Sequence, residues 1–95
     1  MDAIKVNPAH IFTSCGFNIQ AFKLAPGEGT VMHDHLYPHD LMIVEGEVKV
    51  SIGDALIKTI SAGDTVRFPT GALHNFAAVT PALVLSVCLE KDLFL

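Results

Sequence analysis

Charge is scarce in this chain. Lysine and arginine number six, aspartate and glutamate ten, in 95 residues, for a formal net charge of −4. The cations are scattered singly from Lys5 to Lys91. A nucleic-acid surface needs a basic stripe to neutralise phosphates, so nucleic acid is not an expected partner. The same acidic balance disfavours anionic lipid heads. No run of apolar residues is long enough to span a membrane as a helix. The opening Met1-Asp2-Ala3-Ile4-Lys5 has an early acid and no extended apolar segment after it, unlike a secretory leader, and a cytoplasmic location is expected. Cys15 and Cys88 are too few and too far apart for a disulfide framework or a CxxC metal knuckle. Both are expected as small buried hydrophobes.

Helical periodicity is missing too. Gly, Pro and Asp break the chain roughly every eight to twelve residues, the rhythm of an all-β sandwich or barrel. Strands are expected over 17–24, 30–35, 39–45, 48–52, 56–60, 65–68, 74–78 and 82–89, with Gly53-Asp54 as a hairpin signal between the fourth and fifth of these. The tail after Lys91 reads as a turn at most. No βαβ pattern occurs, which excludes a doubly wound sheet, and the glycines follow neither a phosphate-loop nor a dinucleotide fingerprint.

Apolar residues, in contrast, make up 51% of the chain. One domain spanning 1–95 is the expectation, and a domain this small has little interior. Part of the apolar surface is therefore expected at a subunit interface, in a homodimer or larger assembly.

Histidine is the informative residue. Four of the five fall in two short stretches, His33-Asp34-His35-Leu36-Tyr37-Pro38-His39 and His74-Asn75. On a strand over 30–35, alternation would turn the rings of His33 and His35 to one face. Three or four imidazoles converging on one point suit a divalent transition metal. His10, in a Pro/Asn-rich stretch, reads as an ordinary surface residue.

The segment from Gly27 through His33-Asp34-His35 and His39 to Gly46 resembles the first motif of the cupin family, with every spacing kept and His39 in the place usually held by Glu. The segment Gly63 through Pro69-Thr70-Gly71 to His74 resembles the second motif, with Ala78 where the family usually has Asn. The resemblance implies a small jelly-roll barrel, also called a double-stranded β-helix, often dimeric, with a metal in its mouth held by His33, His35, His39 and His74. Four-histidine variants of this site exist in the family. Its activities are diverse: oxygenases, isomerases, lyases, storage proteins and sensors.

Histidine at position 39 leaves the ligand set neutral, so a divalent ion keeps its full charge. It would then attract an anionic or enolisable substrate. The ion is expected to be Fe, Mn, Ni, Zn or Cu, since imidazole suits hard Mg or Ca poorly. Four protein ligands leave two positions on an octahedral ion and none on tetrahedral zinc. His39 is either the fourth ligand or an acid/base group that meets the substrate. Tyr37 is either a proton donor to a substrate oxygen or a half-buried rim aromatic. Asp40, one residue along from His39, is expected to point away.

Farther from the histidines, the exposed position of Lys23 turns Gln20, Phe22 and Leu24 inward, which makes Gln20 a buried amide in need of a partner. Arg67 is either a bidentate holder of a carboxylate or a solvated side chain on an outer face. Phe76 is expected as a pocket wall, and Ser86 shares a strand face with Cys88. Two functions compete. One is a metal-dependent enzyme acting on a small oxygenated compound (a diketone, keto acid or sugar acid) by dioxygen addition or by Lewis-acid isomerisation or elimination. The other is a barrel that binds or senses a small molecule or metal without turnover.

Overall fold

The computed structural model describes residues 3–53 and 56–94 and places ten strands among them. In chain order they are β1 (Ile4–Lys5), β2 (His10–Ser14), β3 (Phe17–Leu24), β4 (Glu28–Gly29), β5 (His39–Glu45), β6 (Glu47–Ile52), β7 (Leu56–Ser61), β8 (Thr65–Phe68), β9 (His74–Ala78) and β10 (Ala82–Leu89). They form two five-stranded sheets, in the orders β1-β4-β9-β6-β7 and β2-β3-β10-β5-β8. Pairing is antiparallel throughout except between β1 and β4. From β3 to β10 the chain changes sheet at every connection but the β6–β7 hairpin. This is the double-stranded β-helix expected from the motifs.

Strand alternation builds the interior. Phe22 and Leu24 on β3, Leu41 and Ile43 on β5, Phe68 on β8 and Ala82 and Val84 on β10 meet Val48 and Val50 on β6, Ile60 on β7 and Phe76 and Ala78 on β9. Each large side chain buried there is worth about 1.5–3 kcal/mol of transfer free energy. Phe76, expected as a pocket wall, is one of these core residues. Its ring meets Phe22 edge-on, with centroids 5.6 Å apart. The same alternation makes one end of the interior polar. Along β3 the inward side chains run Leu24, Phe22, Gln20, Asn18. Along β10, paired in register with them, they run Ala82, Val84, Ser86, Cys88. On β5 and β9 the inward series end in His39 and His74.

Four further expectations need correction. The strand over 30–35 does not form. Regular pairing stops at Gly29, and the segment to Pro38 is irregular apart from a single bridge between His33 and His74. Crossing from one sheet to the other bends the chain here and leaves no partner strand for a longer ladder. Two N-terminal strands, β1 and β2, are present without the alternation that announces a half-buried strand, because every residue of both is exposed. The tail is more than a turn, since Glu90–Phe94 forms a short 3-10 helix. Cys15 is exposed with a φ of 52° in the turn between β2 and β3, and is not a buried hydrophobe. The β6–β7 hairpin is as expected, with Ile52 paired to Leu56; Asp54 of its connection lies outside the described residues.

The motif glycines have separate causes. Gly46 adopts a φ of +87°, and a Cβ on it would run into the Pro81 carbonyl. A Cβ on Gly29 would meet the Phe76 carbonyl. Gly16 has a φ of +80° but open space around it. Gly16→Ala is therefore expected to cost about 1–2 kcal/mol from backbone conformation alone. Gly46→Ala should cost clearly more, because the clash adds to the same penalty. Denaturant melts of the two variants check this, and equal losses would show that the clash is relieved at no cost.

Candidate metal centre

The histidines converge because of two backbone hydrogen bonds. His33 N–H donates to the His74 carbonyl at 3.0 Å, and His74 N–H donates to the His33 carbonyl at 2.8 Å. Residues paired directly in this way project their side chains to the same face. The two rings lie 4.4 Å apart, centroid to centroid. The segment that follows is tied to the second motif, because Gly71 N–H donates to the His35 carbonyl at 2.8 Å. His35 then sits 4.7 Å from His33 and 5.3 Å from His74. His39 enters as the first residue of β5, fixed by its pairing with Phe68 of β8, and lies 4.8 Å from both His35 and His74. Phe68 is completely buried and stacks on His74 at 4.2 Å, backing the cluster against the core.

Donor chemistry fits a cation. The Nδ1 atoms of His33 and His74 lie 2.7 and 2.8 Å from the carbonyls of Val31 and Ala72. A carbonyl only accepts, so each Nδ1 carries the proton and each Nε2 keeps its lone pair. This carbonyl support is common behind metal-bound histidines. The His74 Nε2 is buried with no hydrogen-bond partner, and so is the Nδ1 of His39. Ligand nitrogens of His33, His35 and His74 all lie within 4.8 Å of one another. Two nitrogens on one ion stand at most about 4.2 Å apart, so small ring rotations would bring these three onto a single centre. His39 adjoins this trio without belonging to it. The three rings can hold a divalent transition metal.

Burial also keeps the rings neutral, the form in which they can ligate. His39 is held down to about 3, by burial first and then by His74, His35 and His33. His74 is held down to about 4, mainly by burial, with its bond to Ala72 pulling the other way. His35 is lowered by burial and by His33. The remaining sequence candidates fall in distinct places. Tyr37 stacks on His35 at 5.0 Å, half-buried at the rim, with its phenol pushed up by burial, Cys88 and Asp92. Asp40 turns outward and takes both arms of the Arg67 fork at 3.0 Å. Arg67 thus does hold a carboxylate, on the outer face of its own sheet. His10 is exposed on β2.

Asn18 was not legible as a site residue. It is 6% exposed and lines a cleft of about 50 Å³ with Gln20, His35, Tyr37, His39, Ser86 and Cys88. The signal was available, because the inward alternation that marks Gln20, Phe22 and Leu24 reaches Asn18 one step farther. On its other side Gln20 borders a groove of about 300 Å³ that reaches His33 and includes Lys5, Val6, Thr30 and Val31.

These depressed ring values predict a pH dependence of the metal-free protein. Below 6.5 the unfolded histidines take up protons while His39 and His74 in the folded state do not. Folded stability should therefore fall as pH drops from 6.5 toward about 4, before carboxylates dominate, with no contribution from these groups above 6.5. Melting temperatures across that window check it. A flat profile would show that the rings protonate freely in place.

Residues 20–88 match the family model described as a cupin domain. No curated protein matches the chain. Among solved structures, protein NMB1881 from Neisseria meningitidis is similar at 24% identity and a TM-score of 0.74, over 84% of this chain and 80% of that one. A cupin superfamily protein from Desulfitobacterium hafniense shares 19% identity at a TM-score of 0.73, over 90% and 83%. An RmlC-like cupin with a double-stranded β-helix fold from Methanocaldococcus jannaschii shares 17% at 0.75, over 90% and 85%. At these identities the structures speak for the fold alone. The matched model covers more than half of the chain and contains both histidine motifs, so this protein belongs to the cupin family.

Proposed function

We propose that this protein is a metal-dependent enzyme acting on a small oxygenated compound with an enolisable ketone, keto acid or sugar acid group. The observation that carries the reading is the convergence of His33, His35 and His74, with His35 also lining a polar cleft. His39 completes the ligand set in this proposal, with its partnerless buried nitrogen as support. A bound Fe, Mn, Ni, Zn or Cu ion would supply Lewis acidity toward a chelating substrate and, if iron, the means to use dioxygen. The chain's own residues orient the substrate and handle protons. Tyr37 carries its phenolic proton at neutral pH, as any phenol does, and burial only raises its affinity for it, so it serves as a donor to a developing oxyanion and not as a base. Phe68 and the apolar core behind the histidines exclude water from that side.

Metal analysis of untagged protein should find one transition ion per chain. His74→Ala should abolish binding, and His39→Ala should weaken it by at least about tenfold, as expected for loss of a ligand from a small neutral set. Oxygen uptake with candidate substrates then separates oxygenase chemistry from isomerase or lyase chemistry. Failure to bind any of these ions after equilibration would overturn the enzyme reading in favour of a metal-free binding barrel.

The proposal includes a homodimer. Phe12, Phe17, Met42, Val44 and Leu89 are exposed on one outer face of the β2-β3-β10-β5-β8 sheet, and water contact with so many apolar groups is costly. Sedimentation should give twice the chain mass, and Met42→Lys with Val44→Lys should give monomers. A wild-type monomer at micromolar concentration would overturn it.

A further inference from the structure

The cleft beside the histidines has a second wall that the metal does not explain. It is formed by paired inward positions of β3 and β10, where Asn18 stands opposite Cys88 and Gln20 opposite Ser86. All four line the cleft with His35, Tyr37 and His39. Asn18 is 6% exposed, yet its carboxamide makes no hydrogen bond with any described residue. Farther along the same two strands, the next inward pair after Gln20 and Ser86 is apolar, Phe22 opposite Val84. A carboxamide placed there, bonded to no described neighbour and open to the cleft, is free to pair with whatever occupies the cleft.

This wall carries no charge. The Cys88 thiol is pushed up by burial and by Asp92, so it stays protonated. The charged groups nearby are unfavourable to anions. Asp92 of the 3-10 helix acts on both Tyr37 and Cys88, and Arg67, which lines the adjoining cleft with His39 and Cys88, is committed to Asp40. A volume of about 50 Å³ admits only a few water-sized groups.

We propose that Asn18, with Gln20, Ser86 and Cys88, forms a second subsite that takes a small uncharged hydrogen-bonding group, an alcohol or amide, on the part of the substrate not held by the metal. The inference rests on the metal-centre reading above and narrows its substrate class. The chelating end of the substrate carries the negative charge, and the other end is neutral and polar. Asn18 acts here as a binding residue that offers both a donor N–H and an acceptor oxygen.

The test uses the full chain loaded with Co(II), with cobalt per chain measured by mass spectrometry. The cobalt visible spectrum then follows titration with lactate, glycerate and tartronate. These share an α-hydroxy carboxylate and differ only in the third carbon, which is a methyl, a hydroxymethyl or a second carboxylate. Glycerate should bind at least about tenfold more tightly than either of the others, a ratio worth about 1.4 kcal/mol. Asn18→Leu, nearly equal in size, should bring glycerate to the level of lactate while cobalt content is unchanged. Cobalt bound with no preference for glycerate, with none of the three ligands, or with a preference that survives Asn18→Leu would overturn the subsite alone. Absence of cobalt in the wild type would overturn the metal centre and the subsite together. If Asn18→Leu does not fold, the wild-type series decides.

Discussion

The site depends on one backbone pair. Between Gly29 and His39 the chain has left one sheet and not yet joined the other, and nothing regular holds it. The reciprocal hydrogen bonds of His33 and His74 fix this stretch to the start of β9, the bond from Gly71 to the His35 carbonyl fixes it to the neighbouring turn, and Thr30 N–H donates to the Phe76 carbonyl at its beginning. Without the central pair, two of the histidines would hang on a free loop. With it, their rings share a face because direct partners in an antiparallel pair must. The two motifs are thus halves of one structural unit: one brings the ligands and the other supplies the β9 start and the turn that hold them.

That unit sits where the barrel gives up stability. The inward positions of β3, β5, β9 and β10 are apolar at one end and turn polar at the other. The polar end holds three imidazoles that burial keeps from protonating and two buried ring nitrogens without partners. None of these features improves folding, since each removes a polar group from water without full compensation. The apolar end offsets the loss, and Phe68 joins the two because the same buried ring fills the core and backs His74. Local departure from good folding chemistry inside an otherwise consistent barrel is what a binding site produces.

The sequence was legible where spacing or alternation carries the information. The motif spacings gave the double-stranded β-helix, and alternation gave most of the strands and the inward set Gln20, Phe22 and Leu24. The exposed state of His10 followed from its surroundings. Legibility failed where local pattern and tertiary context disagree. The stretch 30–35 alternates like a strand, but the change of sheet leaves it without a ladder. Strands β1 and β2 are exposed along their length and so show no alternation to detect. Phe76 shares a face with His74, yet it falls one step deeper, inside the core.

By itself the sequence determined which residues can ligate a metal and that the chain folds as a cupin barrel, because residue chemistry and motif spacing are properties of the chain. Tertiary structure decided the rest. His33 faces His74 through a bond between residues 41 positions apart, a count fixed by their numbering. Arg67 is spent on Asp40 because β5 and β8 are neighbours. Asn18 reaches the cleft of His35 and His39 because β10 pairs with β3 on one side and with β5 on the other. Which side chains share a cavity is set by strand register across the whole fold, and that register is written in no single stretch of the chain.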